Sequence, residues 1–193
     1  MLLYDLGGGE MSDGAKPLMG AQYYARLTQR LIAALSAPTA EGLCYPVDFR
    51  LRPSGNKGPL ATELDGFRQY QAKEAWTWEH MALTRARVVA GDRRLAEAIQ
   101  TAIAEVLARP RDARKTLADV AEMRRLIADE KGTDDPWDMK QVPGGLVDIE
   151  FIIQTRAITA GRPVPAALAE AAALLAPELA EPAALMMSVL VML

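Results

Sequence analysis

The chain has 193 residues, half of them hydrophobic, with a net charge of −3, a single cysteine and a single histidine. That mix suits a globular protein of one domain or two small ones in a reducing cytoplasm. It excludes an internal disulfide, a thiolate cluster or a multi-histidine metal site within the chain, and it shows no overall basic footprint for nucleic acid.

The opening "MLLYDLGGGEMSDGAKP" has no basic leader and only a short apolar run, so it is not a secretory signal. Met1, Leu2, Leu3 and Tyr4 are apolar and strand-like without a preceding turn or cap, so a strand is expected over residues 1–5 and the chain is expected to start inside an element. A glycine-rich turn follows, but "GGGE" fits neither the P-loop nor the dinucleotide spacing. A helix is predicted over Ala21–Ala37, with Tyr24, Leu27, Leu31 and Leu35 on one face. "SAPTAEG" ends it by proline and glycine.

"YPVDFRLRPSG", residues 45–55, reads as a strand that places Asp48, Arg50 and Arg52 on one face and Val47, Phe49 and Leu51 on the other. Mg²⁺ takes one or two carboxylates and completes its shell with water and phosphate, a need that Asp48 can meet. Arg50 and Arg52 offer forked donors to phosphate oxygens. Ser54, Gly55 and Lys57 follow in a turn of the kind that cradles anions. The plainer reading is a half-exposed strand whose charges are solvated and pair with each other.

Beyond Leu64 the pattern is helical. "ELDGFRQYQAKEAWTWEHMALTRARVVAGD" reads as one long helix or two abutting ones, stopped at Gly91. Further helices are expected over "DRRLAEAIQTAIAEVLAR" and "ARKTLADVAEMRRLIADEKG", the latter carrying Leu117, Val120 and Ile127 on a shared stripe. "LVDIEFIIQTRAITAG" then forms a buried helix with Gly161 as its C-terminal cap. His80 reads as a structural hydrogen-bonding residue, and Arg85 or Arg87 as able to reach a bound phosphate. Asp148 and Glu150 suit the first turn of a helix, on different faces, which argues against one shared ion. The closing "LMMSVLVML" is an apolar run, interrupted by Ser188, and far shorter than the ~20 residues that span a bilayer.

Taken together, "YPVDFRLRPSG", "FRQYQAKEAWTWEHMALTRARVVAGD" and "PGGLVDIEFIIQ" resemble, in order and spacing, the bifunctional glutamine synthetase adenylyltransferase/adenylyl-removing enzyme of bacteria. The likeness runs from about residue 1 to about residue 160, and "EAWTWEH" with "RPSG" resembles the C-terminal, AMP-attaching half. The resemblance implies an α+β, mostly helical chain: an incomplete polymerase-β-like nucleotidyltransferase sheet with helices over 1–62, a truncated helical domain over 63–185, and an apolar tail over 186–193. It implies transfer of AMP from ATP to a tyrosine of glutamine synthetase, with Mg²⁺ held by three acids of the sheet, of which Asp48 matches the third. Arg50, Arg52, Ser54, Gly55 and Lys57 would then surround the triphosphate, with Arg85 and Arg87 near it. The family's first two acids, an Asp-x-Asp, belong just upstream of Met1; Asp5, Glu10 and Asp13 are not placed to replace them. The expectation is therefore a fragment, inactive by itself. The other reading is a non-catalytic helical module that binds glutamine synthetase or a PII-type regulator.

Overall fold

Parallel strands need a long crossover, and the first sixty residues provide one. In the computed structural model, which describes residues 1–6, 9, 11–42 and 47–192, strand β1 (Leu2–Tyr4) pairs in parallel with strand β2 (Ala61–Glu63). Leu2 stands opposite Ala61, Leu3 opposite Thr62 and Tyr4 opposite Glu63. Helix α1 (Gly20–Leu35) lies between them in sequence and packs on β2; helix α2 (Leu64–Lys73) follows β2 directly. These elements form the first of two compact units, Met1–Ala75 with Asp92–Leu95.

The stripe expected on α1 is only partly buried. Gly20 and Thr28 are buried, and the Tyr24 ring stacks on Tyr4 with centroids 4.2 Å apart and planes 9° from parallel. Leu27, Leu31 and Leu35 stay 42%, 41% and 50% exposed. Length explains the difference. At about 1.5 Å per residue α1 runs roughly 24 Å, whereas three strand residues cover about 10 Å. The second half of α1 overhangs the sheet.

The second unit, Trp76–Gly91 with Ala96–Leu193, is helical. The long tryptophan-bearing stretch breaks after α2, and α3 (Thr77–Leu83) restarts where the Trp76 amide donates to the Glu79 carboxylate at 2.9 Å. The helix expected to reach Gly91 thus ends at Leu83. Helices α4 (Arg93–Leu107), α5 (Ala113–Lys131), α6 (Leu146–Thr159), α7 (Leu168–Leu175) and α8 (Ala180–Met192) complete the chain. Asp112 caps α5 by accepting from the amides of Arg114 and Lys115.

Leu146, Ile149 and Ile153 of α6 bury against Leu168, Ala171 and Ala172 of α7, Ala176, and Ala183 of α8. Helix α5 turns Thr116, Val120, Met123 and Ile127 inward, while Leu117 is exposed, so the stripe lies one residue from the expected one at its start. Gly161, with φ of 67°, follows α6 as its C-terminal cap. The apolar tail becomes the last turns of α8, where Leu185, Met187 and Leu190 are exposed. No helix among the described residues is long and apolar enough to cross a membrane.

Candidate functional site

The charged segment begins as its alternation predicts. Val47 and Phe49 are half-buried, Asp48 and Arg50 exposed. The order then inverts, with Leu51 exposed and Arg52 half-buried. Local bonds account for the inversion: the Arg52 amide donates to the Arg50 carbonyl at 2.9 Å, and the Gly55 amide to the Arg52 carbonyl at 2.8 Å. The expected strand is therefore not formed by residues 47–52, which fold into tight turns and pair with no strand among the described residues. Tyr45 and Pro46, at the head of the motif, lie outside the described residues, as do Gly7, Gly8, Glu10 and Cys44.

The Arg52 guanidinium closes this loop from inside. Its Nε donates to the Gly58 carbonyl at 3.2 Å, Nη1 to that of Phe49 and Nη2 to that of Asn56 at 3.4 Å. Ser54 and Gly55 both take left-handed conformations, with φ of 60° and 53°, ahead of a 3₁₀ turn over Gly55–Lys57. Gly58 is required by proximity, since a Cβ there would lie 1.9 Å from the Pro53 carbonyl oxygen.

Asp48 stands at the centre of the segment. Its Oδ1 accepts from the Arg50 amide at 2.8 Å, and its Oδ2 from Arg50 Nη2 at 2.7 Å, with Nε shared between both oxygens. The Arg50 side chain, and then its backbone amide, bring the Asp48 carboxyl down to about 2. The Met1 amino group is lowered by desolvation and by the charge of Arg52, while Asp48 acts on it in the opposite sense. Asp48 and Arg52 thus lie within electrostatic reach of the N-terminal end of β1. Among the described residues Val47, Asp48, Phe49, Arg50 and Arg52 line an open hollow of about 560 Å³.

Chemically, this is an ionised carboxylate beside two guanidinium groups, open to a ligand. Asp48 is a suitable oxygen donor for a hard divalent ion, and Arg50 is placed to turn toward an anion brought with it. No cluster of three or more His, Cys, Asp or Glu that could hold a metal occurs among the described residues. Among the described residues that line the hollow, Asp48 is the one that carries a carboxylate.

Of the other candidates, Ser54, Gly55 and Lys57 occupy the adjoining turn and do not line the hollow. Arg85 and Arg87 belong to the second unit. Arg85 donates to Glu150 at 2.8 Å and to the Ala166 carbonyl at 2.7 Å; Arg87 is exposed. His80 Nδ1 lies 2.9 Å from Arg111 Nη1, consistent with a structural role, and Arg111 Nη2 donates to the Val106 carbonyl. Asp148 pairs with Arg124 and accepts from the Gly144 amide at 2.6 Å, so it and Glu150 serve different neighbours. Sequence reading missed Arg111 and Arg124, because a lone arginine on a helix gives no local sign of its partner.

Residues 1–102 match the model of a family described as glutamate-ammonia ligase adenylyltransferase. A bifunctional glutamine synthetase adenylyltransferase/adenylyl-removing enzyme of Brucella suis biovar 1 (strain 1330) is 58% identical over 188 residues, covering 95% of this chain and 19% of the relative. Relatives with the same description from Mesorhizobium japonicum and Rhizobium meliloti are 56% and 58% identical, cover 82% and 83% of this chain, and each match over 16% of their own length. The chain belongs to the glutamate-ammonia ligase adenylyltransferase family. It spans about a fifth of the Brucella suis relative's length and less of the other two. The Brucella match also carries the likeness well past residue 160, where sequence reading had ended it.

Proposed function

We propose that this chain is part of an adenylyltransferase that moves AMP from ATP to a tyrosine of glutamine synthetase, and that Asp48 is one of the carboxylates that hold Mg²⁺ in its nucleotide site. The observation that carries this is Asp48 itself: exposed, held ionised down to about 2 and lining the hollow with Arg50 and Arg52, in a chain of this family. In the reaction the tyrosine oxygen bonds to the α-phosphorus of ATP, the bond to the bridging oxygen breaks, pyrophosphate leaves and the hydroxyl proton is lost. Bound Mg²⁺ would supply charge stabilisation at the phosphates.

The chain's own residues do the following. Asp48 would hold the cation, and Arg50, which lines the same hollow, would offer its guanidinium to the phosphates. Arg52 keeps the loop closed through its bonds to three carbonyls. Ser54, Gly55 and Lys57 sit at the rim of the triphosphate site, where Lys57 supplies a cation from a turn closed by its own amides. The N-terminal end of β1 lies within electrostatic reach of Asp48 and Arg52, so a further acid near it would add to the metal site. The partners in this reading are glutamine synthetase and a PII-type signalling protein, in the cytoplasm.

Isothermal titration of the purified chain with ATP, with and without Mg²⁺, tests the reading. Mg²⁺-dependent binding that weakens in Asp48→Asn is the expected result. Binding to glutamine synthetase that ignores ATP, Mg²⁺ and Asp48 would replace it with the non-catalytic module.

A further inference from the structure

The sequence holds two Asp–Gly steps, Asp13–Gly14 and Asp65–Gly66, and the fold treats them differently. An aspartyl carboxyl can close on the amide nitrogen of the next residue, and a glycine there leaves the nitrogen unshielded because it carries no Cβ. Closure needs the side chain turned over the following peptide, with its carboxyl carbon against that nitrogen. Local geometry therefore decides whether a given step reacts.

Asp65 is held away from that geometry. It lies in the first turn of α2, where helical backbone angles fix the following peptide along the axis, and its Oδ1 accepts from Arg68 Nη1 at 3.0 Å. Asp13 is under neither restraint. It begins the tip of a short ribbon between β1 and α1, and only the base of that ribbon is pinned. Met11 bridges Met19 in the antiparallel sense, the Ser12 amide donates to the Leu18 carbonyl at 2.9 Å, and the Leu18 amide donates to Ser12 Oγ at 3.0 Å. Residues 13–17 project beyond this base and are all exposed. None of the described residues bonds the Asp13 carboxylate. A Cβ on Gly14 would meet nothing within 4 Å, so the tip has room for Asp13 to turn over the Gly14 amide.

We infer that Asp13–Gly14 is a modification site, at which isoaspartate forms spontaneously and the main chain is rerouted through the Asp13 side chain. The Gly14 nitrogen bonds to the carbon of the protonated side-chain carboxyl. The hydroxyl of that carboxyl leaves as water with the amide hydrogen, and a cyclic imide closes. Water then opens the imide at either carbonyl. Addition at the side-chain carbonyl restores aspartate; addition at the main-chain carbonyl leaves Gly14 joined to the side chain and frees the α-carboxyl. The net change is an isomerisation, with water lost and regained. Its product belongs to the substrate class of enzymes that methylate isoaspartyl carboxyls. The inference rests on the ribbon alone, and on neither the family nor the chemistry at Asp48.

The test incubates the whole chain at neutral pH below its melting point, and in parallel in guanidinium chloride. Digests are read for isoaspartate by labelling with an isoaspartyl methyltransferase and by electron-transfer fragmentation of the separated peptides. In the native chain isoaspartate should accumulate at Asp13 at least about tenfold faster than at Asp65. In denaturant the two rates should converge. Gly14→Ala, which the open tip accommodates, should keep the circular dichroism of the unaltered chain and slow the native conversion at least about tenfold. Equal native rates at the two steps, faster conversion at Asp65, a preference for Asp13 that survives undiminished in denaturant, or undiminished conversion in Gly14→Ala would overturn the inference.

Discussion

Replacing Asp148 by alanine should destabilise the helical unit by about 2–3 kcal/mol. Three donors converge on this carboxylate: Arg124 Nε, Arg124 Nη2 at 3.3 Å and the Gly144 amide at 2.6 Å. The paired side chains are 19% and 27% exposed, so water replaces them poorly. A charge-assisted hydrogen bond is worth about 1.5–3 kcal/mol net. Partial exposure and the long third contact hold the sum to the size of one strong bond plus a weaker one. In urea, with a slope of about 2 kcal/mol per molar, the midpoint followed by far-ultraviolet circular dichroism should fall by about 1 M. Glu122→Ala is the control: its pair with Arg125 is 57% exposed on both sides, and the midpoint should not move.

Acid gives a second readout for the same residue. Burial raises the Asp148 carboxyl, but Arg124 and the Gly144 amide outweigh it and the net shift is downward. A depressed folded-state value means that the contribution is full above the unfolded value and is lost as pH falls through the folded one. The gap between the unaltered protein and Asp148→Ala should therefore close in acid, below the usual carboxylate range. A midpoint within about 0.2 M of the unaltered one at neutral pH, or a gap that widens in acid, would refute the reasoning.

Asp48 should titrate near 2 by carbon NMR of its carboxyl, and Arg50→Ala should return it toward the ordinary range, because the Arg50 side chain is the main cause of the shift. Gly58→Ala should open the loop: the new methyl collides with the Pro53 carbonyl, and the amides of Gly55 and Lys57, both bonded within the turn, should exchange faster with solvent.

Much of the helical unit was legible in the sequence because it follows from local periodicity. α4, α5 and α6 fall where their apolar spacing and breakers place them, and Gly161 ends α6 as a left-handed cap should. The faces were harder. On α1 and α5 the apolar residues are numerous enough to draw more than one stripe, and the neighbour decides which is buried. β2 was missed because three residues, "ATE", carry no period. The expected strand at 47–52 failed for a related reason. Alternation is a property of side chains, whereas a strand needs a pairing partner; here the backbone bonds to itself and Arg52 occupies the carbonyls of its own loop. The Asp48–Arg50 neighbourhood was readable as a cluster, but not that Arg50 would hold the carboxylate by side chain and backbone together.

The division into units also separates the chromophores. Trp76, Trp78 and Trp137 all fall in the helical unit, while Tyr4, Tyr23, Tyr24 and Tyr70 fall in the other. Indole emission therefore reports one half of the molecule. The face-to-face phenol rings of Tyr4 and Tyr24 add a tyrosine band to the near-ultraviolet dichroism, beside the indole bands of the helical unit. In one denaturation series the indole emission follows the helical half, and the part of the dichroism that Tyr24→Leu removes follows the other.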